Sequence, residues 1–255
     1  MSAKVFFIGA GPGAADLITL RGARAIAAAD VVLWAGSLVM EELVREHARD
    51  GAELVDSAPL TLEDQRVIYE RAAREGLRVA RVHSGDPSLY SAVGEQIGIL
   101  EEIGLPFEIV PGVSSLSAVA AALGCELTVP ERAQSLILTR LEGRSPMPAG
   151  ERLRDLAAHR ATIALFLSAG RAAEVQRELL AGGYPVQEPC AVVHRASWPD
   201  ELVVRCTLGE LAERVREAGI TRHAIILIGP ALREAGTRSH LYDPRHRHRF
   251  REVVG

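Results

Sequence analysis

The chain has 255 residues, 48% of them hydrophobic and 24% charged, and its formal net charge is −4 at pH 7. That balance is typical of a globular protein of one large or two modest domains, and the small negative charge gives no reason to expect nucleic acid or an anionic membrane surface as a partner. The sequence has no apolar run of the roughly 18 residues that a membrane-spanning helix needs. Met1 is followed directly by a strand pattern instead of a signal peptide, so we expect a cytoplasmic protein.

Short β-rich runs alternate with amphipathic helical patterns in the first half of the chain. One helix is predicted to open near Asp16, a plausible N-cap, and another from about Ser91. A third opens at Thr61, where Asp64 completes a capping box, and ends at the C-cap position Gly76. Because strands alternate with helices, the pattern predicts a mainly parallel sheet that is covered on both faces. The predicted strands cover residues 4–8, 31–34, 53–55, 77–82 and 106–110.

A second set of elements predicts a second sheet in the other half of the chain. The run from Cys190 to Cys206, interrupted at residues 196–200, is typical of an antiparallel hairpin with a longer loop, so this sheet is predicted to be mixed. The strands are predicted at residues 136–139, 162–167, 190–194, 202–206 and 224–228, and the helices at 151–159, 171–180 and 208–218. The predicted divisions of the chain are an N-terminal α/β domain over residues 1–123, a linker over 124–134, a C-terminal α/β domain over 135–235 and a tail over 236–255.

Cysteines and histidines do not have the spacing of a metal site. The three cysteines are widely spaced and odd in number, which favours reduced thiols in a cytoplasmic protein. They are Cys125, Cys190 and Cys206. Several histidines cluster among arginines near the C-terminus, but because no second cluster completes a closed site, we predict a solvated tail and no metal. These histidines are His240, His246 and His248.

The first predicted strand runs into a glycine-rich turn with the sequence G-A-G-P-G. Gly9, Gly11 and Ala14 satisfy the dinucleotide-binding pattern G-x-G-x-x-A. Two features argue against a dinucleotide. Pro12 removes a backbone N–H that would bind pyrophosphate, and Asp30, which has the spacing of the ribose-binding acid, precedes the second strand instead of following it. A nicotinamide oxidoreductase is therefore disfavoured.

Two further turns also follow predicted strands. Residues 83–90 have the sequence H-S-G-D-P-S-L-Y, and residues 111–115 have the sequence P-G-V-S-S. Each has a structural alternative, because Asp86 can cap the next helix, and Ser114 and Ser115 are typical of a helix start. Since the carboxyl ends of parallel strands meet at one edge of a sheet, we expect all three turns to converge on one crevice.

Together, these three turns resemble those of the tetrapyrrole methyltransferases in order and spacing, over about residues 4–230. The resemblance narrows to the subgroup that methylates carbon 11 of precorrin-4. Its segments are W-A-G-S-L-V at residues 34–39, L-T-R and G-R within 138–144, R-A-S-W-P-D-E at 195–201 and I-T-R at 220–222. The resemblance implies two αβα domains with a cofactor cleft between them, S-adenosylmethionine as methyl donor, S-adenosylhomocysteine as product, a role in cobalamin biosynthesis and a homodimer.

The resemblance also implies which residues contact the two ligands. Adenosine needs an apolar slot, and the ribose and the ammonium group need acceptors such as carboxylates and hydroxyls. The implied cofactor contacts are Pro12, Ser84, Gly85, Asp86, Leu89, Ser114, Ser115, Leu167, Ala196 and Ala224. The substrate carries many carboxylates, which guanidinium groups bind in a bidentate manner. The implied substrate contacts are Gly11, Gly13, Arg140, Arg144, Arg195 and Arg222.

One departure from the family pattern bears on the substrate. Uroporphyrinogen methyltransferases place an aspartate after the second strand, where this chain has Ala35. No catalytic acid or base is therefore implied, although His83 and His194 each stand at a strand end and could serve as a base. Three alternatives stay open. They are methylation at another tetrapyrrole position, action on ribosomal RNA or a modified histidine, and a non-catalytic module that binds the same ligands. The choice between metal-free and cobalt-loaded precorrin-4 is also open.

Overall fold

The computed structural model describes residues 3–233, 247 and 249, so the histidines of the predicted tail lie outside the described residues. The chain forms two compact units. The first consists of the described residues up to Ala118 together with Arg195–Glu201, and the second of Val119–His194 with the described residues from Leu202 onward. The division falls within a helix, whereas a linker was expected over residues 124–134, and that boundary stays a prediction.

The first unit is built on a five-stranded sheet in which every neighbouring pair is parallel. The strand order is β3-β2-β4-β1-β5. The strands are β1 (Lys4–Gly9), β2 (Val31–Trp34), β3 (Glu53–Asp56), β4 (Arg78–His83) and β5 (Phe107–Val110). The helices are α1 (Leu20–Ala27), α2 (Glu41–His47), α3 (Leu62–Glu75), α4 (Val93–Glu102) and the start of α5 (Ser115–Leu123).

Both faces of this sheet are buried, which explains why β1 and β2 are almost entirely apolar. In β1, Phe6 and Ile8 pack into one cluster, whereas Val5 and Phe7 pack into another on the opposite face. Successive side chains of a strand point to opposite faces, so a strand that is covered on both sides needs apolar residues at every position. The sheet class predicted from the alternating pattern is therefore confirmed.

Two helix starts in the first unit differ from the sequence expectation. Helix α1 begins after Thr19, whose hydroxyl accepts the N–H of Gly22 at 3.1 Å, and Asp16 lies in a separate short turn before it. Helix α4 begins at Val93 instead of about Ser91, because Ala92 has a φ of 49° and so cannot belong to a right-handed helix. By contrast, the capping box and the C-cap glycine predicted for α3 are both present.

The second unit contains a mixed five-stranded sheet, as predicted, with the order β6-β7-β10-β8-β9. Its first two strands are parallel, and the remaining neighbours are antiparallel, including the predicted hairpin of β8 and β9. The strands are β6 (Leu136–Arg140), β7 (Thr162–Phe166), β8 (Pro189–His194), β9 (Leu202–Thr207) and β10 (Ala224–Ile228). The helices are α6 (Leu153–Ala157), α7 (Ala172–Ala181) and α8 (Leu211–Glu217). Among the described residues, every helix is too short or too polar to cross a membrane.

Candidate functional site

The three turns singled out in the sequence meet at the carboxyl edge of the first sheet. They follow β1, β4 and β5, and β1 lies between the other two strands. The turn after β1 is joined directly to the turn after β4, because the N–H of Gly85 donates to the carbonyl of Gly11 at 2.7 Å and the N–H of Gly11 donates back at 3.3 Å. The expected convergence of the turns is therefore present in the first unit.

Glycines allow this convergence because the backbones of the three turns are in contact. A Cβ atom added to Gly112 would lie 2.2 Å from the carbonyl oxygen of Gly85 and 2.7 Å from the Cα of Gly9. A Cβ atom added to Gly9 would lie 2.5 Å from the Cα of Gly112. These neighbours are backbone atoms of the end of β1 and of the two turns, so they cannot move aside as a flexible side chain could.

We expect Gly112→Ala to destabilise the protein by about 3 kcal/mol, since it forces an extra methyl group into a packed interior. The matched control is Gly98→Ala in α4, because a Cβ atom there meets nothing within 4 Å. An alanine in that helix should be neutral or stabilise by up to about 1 kcal/mol. Urea unfolding of both variants measures the difference, and equal midpoints for the two would contradict the packing argument.

Asp86 joins the turn after β4 to the turn after β5. One carboxylate oxygen, Oδ1, accepts the N–H of Ser88 at 2.8 Å and also the Ser88 hydroxyl. The other oxygen, Oδ2, accepts the N–H of Gly112 at 2.8 Å. The alternative of Asp86 as a helix cap is wrong, because α4 begins at Val93 and its cap residue is Ala92.

These hydrogen bonds favour the charged form of Asp86. Partial burial acts to raise the pKa of the carboxyl group, but the hydrogen bonds from the Ser88 hydroxyl and from the N–H groups of Gly112 and Ser88 together hold that pKa below its ordinary value. Asp86 is therefore ionised at neutral pH. A carboxylate has about four lone-pair positions, so Oδ2 retains one that a ligand hydroxyl or ammonium group can use.

Ser114 and Ser115, in the turn after β5, also have a structural role at the start of α5. The hydroxyl of Ser114 accepts the N–H of Leu116 at 3.2 Å, so Ser114 caps α5, and Ser115 is the first residue of that helix. Ser84 and Leu89 are half-buried beside Asp86. Ser114 therefore begins the helix, as the structural alternative predicted. Its hydroxyl oxygen is used as an acceptor, and its hydroxyl proton can donate a hydrogen bond to a ligand.

The segment Arg195–Glu201 also contributes to the first unit, and sequence reasoning missed its contacts with the glycine-rich turn. The indole Nε1 of Trp198 donates to the carbonyl of Pro12 at 2.9 Å, and Ser197 Oγ accepts the N–H of Ala14 at 3.1 Å. Ala196 is buried in the same segment. The unusual composition of the segment was visible in the sequence, but nothing there showed which turn it would contact.

Arg195 was expected to bind a substrate carboxylate, but part of its guanidinium group already contacts other residues of this segment. Its Nη1 lies 2.5 Å from a carboxylate oxygen of Asp200, and the guanidinium carbon lies 5.1 Å from the centre of the Trp198 ring. Its Nε is buried and has no hydrogen-bond partner in the part of the chain that the structure describes. The group is thus fixed in place by an acid and a ring, with part of its donor capacity unused.

A second set of the sequence-derived candidates lies at one edge of the second sheet. The parallel strands β6 and β7 end there, and Arg140 is paired in register with Phe166, one residue before Leu167. The antiparallel strand β10 begins at the same edge with Ala224, two residues after Arg222. Leu167 has a φ of 53° and is 76% exposed, so its apolar side chain points into solvent.

The arginines at this edge differ in how they are held. Arg140 donates through Nη1 to the carbonyls of Leu141 and Ser145, at 3.0 and 3.3 Å, and it has no carboxylate partner among the described residues. Arg144 and Arg222 are exposed. Arg140 is therefore already oriented by backbone carbonyls while its charge is not neutralised, which suits a group that binds an anionic ligand.

His83 does not have the properties of a base. Burial lowers its pKa, and the charge of Arg81 lowers it further, to about 3. A group with that pKa stays neutral at physiological pH, and it is far from the value near the operating pH that favours general base catalysis. The open alternative of His83 as a base is therefore disfavoured.

An acid that the sequence interpretation did not use lies beside the Ala35 turn. Asp56, at the end of β3, accepts the N–H groups of Gly36 and Ala58 at 2.9 and 2.8 Å. A Cβ atom added to Gly36 would lie 2.6 Å from Cγ, Oδ1 and Oδ2 of Asp56, so a glycine at position 36 allows this close approach of the carboxylate. Asp56 holds the turn that follows the second strand, and nothing local in the sequence joins two residues that lie 20 positions apart.

A sequence model of the tetrapyrrole (corrin/porphyrin) methylases matches residues 4–212 of the chain. The chain belongs to this family. The match begins at the first residue of β1 and includes all three turns of the first sheet as well as the segment that carries Trp198. The predicted family membership and the predicted two-unit α/β fold are both confirmed.

Particular members of the tetrapyrrole methylases are similar over nearly the whole chain. A precorrin-4 C(11)-methyltransferase from Pseudomonas aeruginosa is 51% identical over 248 residues, which is 97% of this chain and 98% of the relative. The X-ray structure of a cobalt precorrin-4 methyltransferase superimposes with a TM-score of 0.87 at 46% identity, covering 91% of this chain and 96% of that one. A uroporphyrin-III C-methyltransferase from Thermus thermophilus, complexed with S-adenosylhomocysteine, gives a TM-score of 0.75 at 31% identity, with coverages of 90% and 93%.

Proposed function

We propose that this tetrapyrrole methylase transfers a methyl group from S-adenosylmethionine to carbon 11 of precorrin-4, or of its cobalt-loaded form, in the construction of the corrin ring of cobalamin. The observation that carries the proposal is the 51% identity, over 97% of the chain, to a precorrin-4 C(11)-methyltransferase. The R-A-S-W-P-D-E segment and the Ala35 turn, which resemble the precorrin-4 subgroup in the sequence, support the same substrate.

The geometry of the glycine-rich turn supports a ligand without a pyrophosphate. A dinucleotide would be held by free backbone N–H groups of this turn. The N–H of Gly11 is bonded to Gly85, Pro12 has none, and the N–H of Ala14 is bonded to Ser197. Three of the donors that a phosphate would use are therefore absent or occupied, which argues against the nicotinamide oxidoreductase.

The residues at the first sheet edge suit S-adenosylmethionine, which when bound would supply an electrophilic methyl group on sulfur. The ionised Asp86 retains an acceptor position for a ribose hydroxyl or the ammonium group, and Ser84 and Ser115 add hydroxyls. Apolar contacts with the adenosine are proposed for the following side chains: Leu89, Leu167, Ala196 and Ala224. Pro12 would contact the donor through its ring, and Gly85 through its backbone.

The role of the chain in methyl transfer is to bind, orient and exclude water. Holding two reactants in line replaces an unfavourable bimolecular encounter with a unimolecular step. Arg140, with its oriented and unneutralised guanidinium group, is the strongest candidate anchor for a substrate carboxylate. Arg144, Arg195 and Arg222 are proposed as further anchors, and Gly11 and Gly13 as parts of the surface that faces the tetrapyrrole.

Binding of S-adenosylhomocysteine tests this proposal without the unstable tetrapyrrole. Titration calorimetry of the full chain should show saturable binding, and S-adenosylmethionine should compete for the same site. NAD is the matched control, and it should give no heat under the same conditions. Absence of binding or competition at millimolar concentration would contradict the proposed donor, and tight binding of NAD in its place would favour the oxidoreductase.

We also propose that the active species is a homodimer in the cytoplasm, with no nucleic acid as partner, as the family resemblance implies. Light scattering of active protein should give about twice the mass of 27.4 kDa calculated for one chain. The same sample should be assayed for S-adenosylhomocysteine binding, so that the mass refers to competent protein. A mass near 27.4 kDa for protein that binds the ligand fully would refute the dimer.

A further inference from the structure

The segment Arg195–Glu201, which connects β8 to β9, has a constrained backbone. Arg195 and Ser197 have φ values of 47° and 68°, in the left-handed region that residues other than glycine adopt infrequently. Hydrogen bonds within the segment hold this conformation. The N–H of Trp198 donates to the carbonyl of Arg195 at 2.9 Å, and a carboxylate oxygen of Glu201 accepts the N–H of Ser197 at 2.6 Å. The segment therefore presents Trp198 in one fixed orientation.

The indole of Trp198 lies directly against Gly13. A Cβ atom added to Gly13 would lie 2.1 Å from Cδ1 and 2.4 Å from Nε1 of the indole. The φ of Gly13 is outside the left-handed region, so its backbone conformation alone does not require glycine. The indole is thus the reason that position 13 must be a glycine.

The same indole is bonded to the residue beside Gly13. Its Nε1 donates to the carbonyl of Pro12 at 2.9 Å, and the guanidinium group of Arg195 lies over its ring at 5.1 Å. A side chain at position 13 would displace the five-membered ring and so break the bond to Pro12. The packing on Gly13 and the hydrogen bond to Pro12 therefore depend on each other.

We infer that Trp198 is a positioning residue for methyl transfer, because it packs on Gly13 and holds Pro12 in the conformation that binds the methyl donor. The inference rests on the proposed function, in which Pro12 contacts S-adenosylmethionine. Without the indole, the turn has to be ordered when the ligand binds, and the entropy of that ordering weakens binding. A phenyl ring at position 198 would remove the N–H donor and keep an aromatic side chain, whereas a methyl group at position 13 would disturb both contacts of the indole.

Trp198→Phe removes the N–H and keeps an aromatic ring. We expect the dissociation constant for S-adenosylhomocysteine to rise about threefold to tenfold, which is the range for one net hydrogen bond. The matched control is Trp34→Phe, because the chain has 2 tryptophans and the Nε1 of Trp34 has no hydrogen-bond partner among the described residues. That variant should bind as the wild type does. A lowered melting temperature with unchanged binding for Trp198→Phe would indicate a purely structural role and overturn the inference.

The packing of the indole on Gly13 gives a second test. Gly13→Ala should weaken binding at least as much as Trp198→Phe, because the methyl group displaces the indole. In a Trp198→Ala background the same change should add less than about twofold, since the space is open and the contact no longer exists. Equal effects of Gly13→Ala in both backgrounds would overturn the inference.

The inference and the proposed function fail in different ways. A wild-type protein that does not bind S-adenosylhomocysteine would contradict the proposed function. If the wild-type protein binds this ligand and Trp198→Phe leaves the affinity unchanged, this inference alone is contradicted.

Discussion

Uroporphyrinogen III is expected to receive no methyl group from this enzyme, whereas precorrin-4 is expected to gain one at carbon 11. The family resemblance places an acid after the second strand of the uroporphyrinogen enzymes, and this chain has Ala35 there. Loss of proton-transfer assistance typically lowers a rate by a factor of about 100 to 10,000. Each substrate should be incubated with a methyl-labelled donor, and carbon NMR of the product gives the position of the label.

A uroporphyrinogen methyltransferase assayed in parallel controls for the quality of that substrate. Label on ring A or ring B of uroporphyrinogen III, or no label on precorrin-4, would contradict the substrate assignment and leave the fold unaffected. The same assay can test whether Asp56 replaces the missing acid, because its carboxylate accepts the N–H of Gly36 in the Ala35 turn. We expect Asp56→Asn to weaken that turn without creating activity toward uroporphyrinogen III.

Asp86→Asn is expected to raise the dissociation constant for S-adenosylmethionine about tenfold or more, since hydrogen bonds to charged groups contribute roughly 1.5–3 kcal/mol. An asparagine has only one acceptor oxygen, whereas Asp86 uses both oxygens, one for Ser88 and one for Gly112. The substitution therefore removes the charge and also one bond that joins two turns. Calorimetry measures the affinity, and thermal unfolding measures the structural part of the effect.

Ser88→Ala is the control for Asp86→Asn, because it removes the hydroxyl bond to Oδ1 but keeps the charge and both backbone bonds. It should weaken binding much less. If both variants bind with wild-type affinity, Asp86 has no role in binding the donor.

The stability of the protein should also depend on Asp86 in acid. Its folded-state pKa lies below the value of about 3.9 for an unfolded aspartate, so its contribution is present above that pH and is lost as the pH falls through the folded-state pKa. Asp86→Asn should therefore lose this part of the acid dependence of unfolding. The unfolding midpoints of variant and wild type should come closer together as the pH falls below 4.

Periodicity and turn residues were sufficient to predict the strands of both sheets, although no helix was predicted where α2 lies. The strands over Val31–Trp34 and Ala224–Ile228 coincide with their predicted bounds, and the others differ by one residue at one or both ends. Local signals of this kind work because side-chain alternation, capping and glycine turns act over only a few residues. They also predicted the edge of the first sheet where its turns meet, since parallel strands carry their carboxyl ends to one side, whereas the family was predicted from the resemblance of the turn sequences.

Some local predictions failed where a nearby residue competed for the same role. Thr19, not Asp16, caps α1, because its hydroxyl lies three residues before an N–H that is free to donate. Ser91 does not begin α4, because its hydroxyl closes the preceding turn on the carbonyl of Leu89. In each case several residues that can cap or begin a helix stood close together in the sequence, and the backbone conformation of the folded chain decided which of them does so.

The sequence by itself determined the two α/β sheets, the placement of three turns after their strands, and the family that these turns resemble. The tertiary structure alone decided what those turns contact: Asp86 bonds Gly112, Asp56 holds Gly36, and Trp198 covers Gly13. The physical reason is distance along the chain. Trp198 and Pro12 are 186 positions apart, and no local preference of either residue specifies a hydrogen bond that forms only after the fold has brought them together.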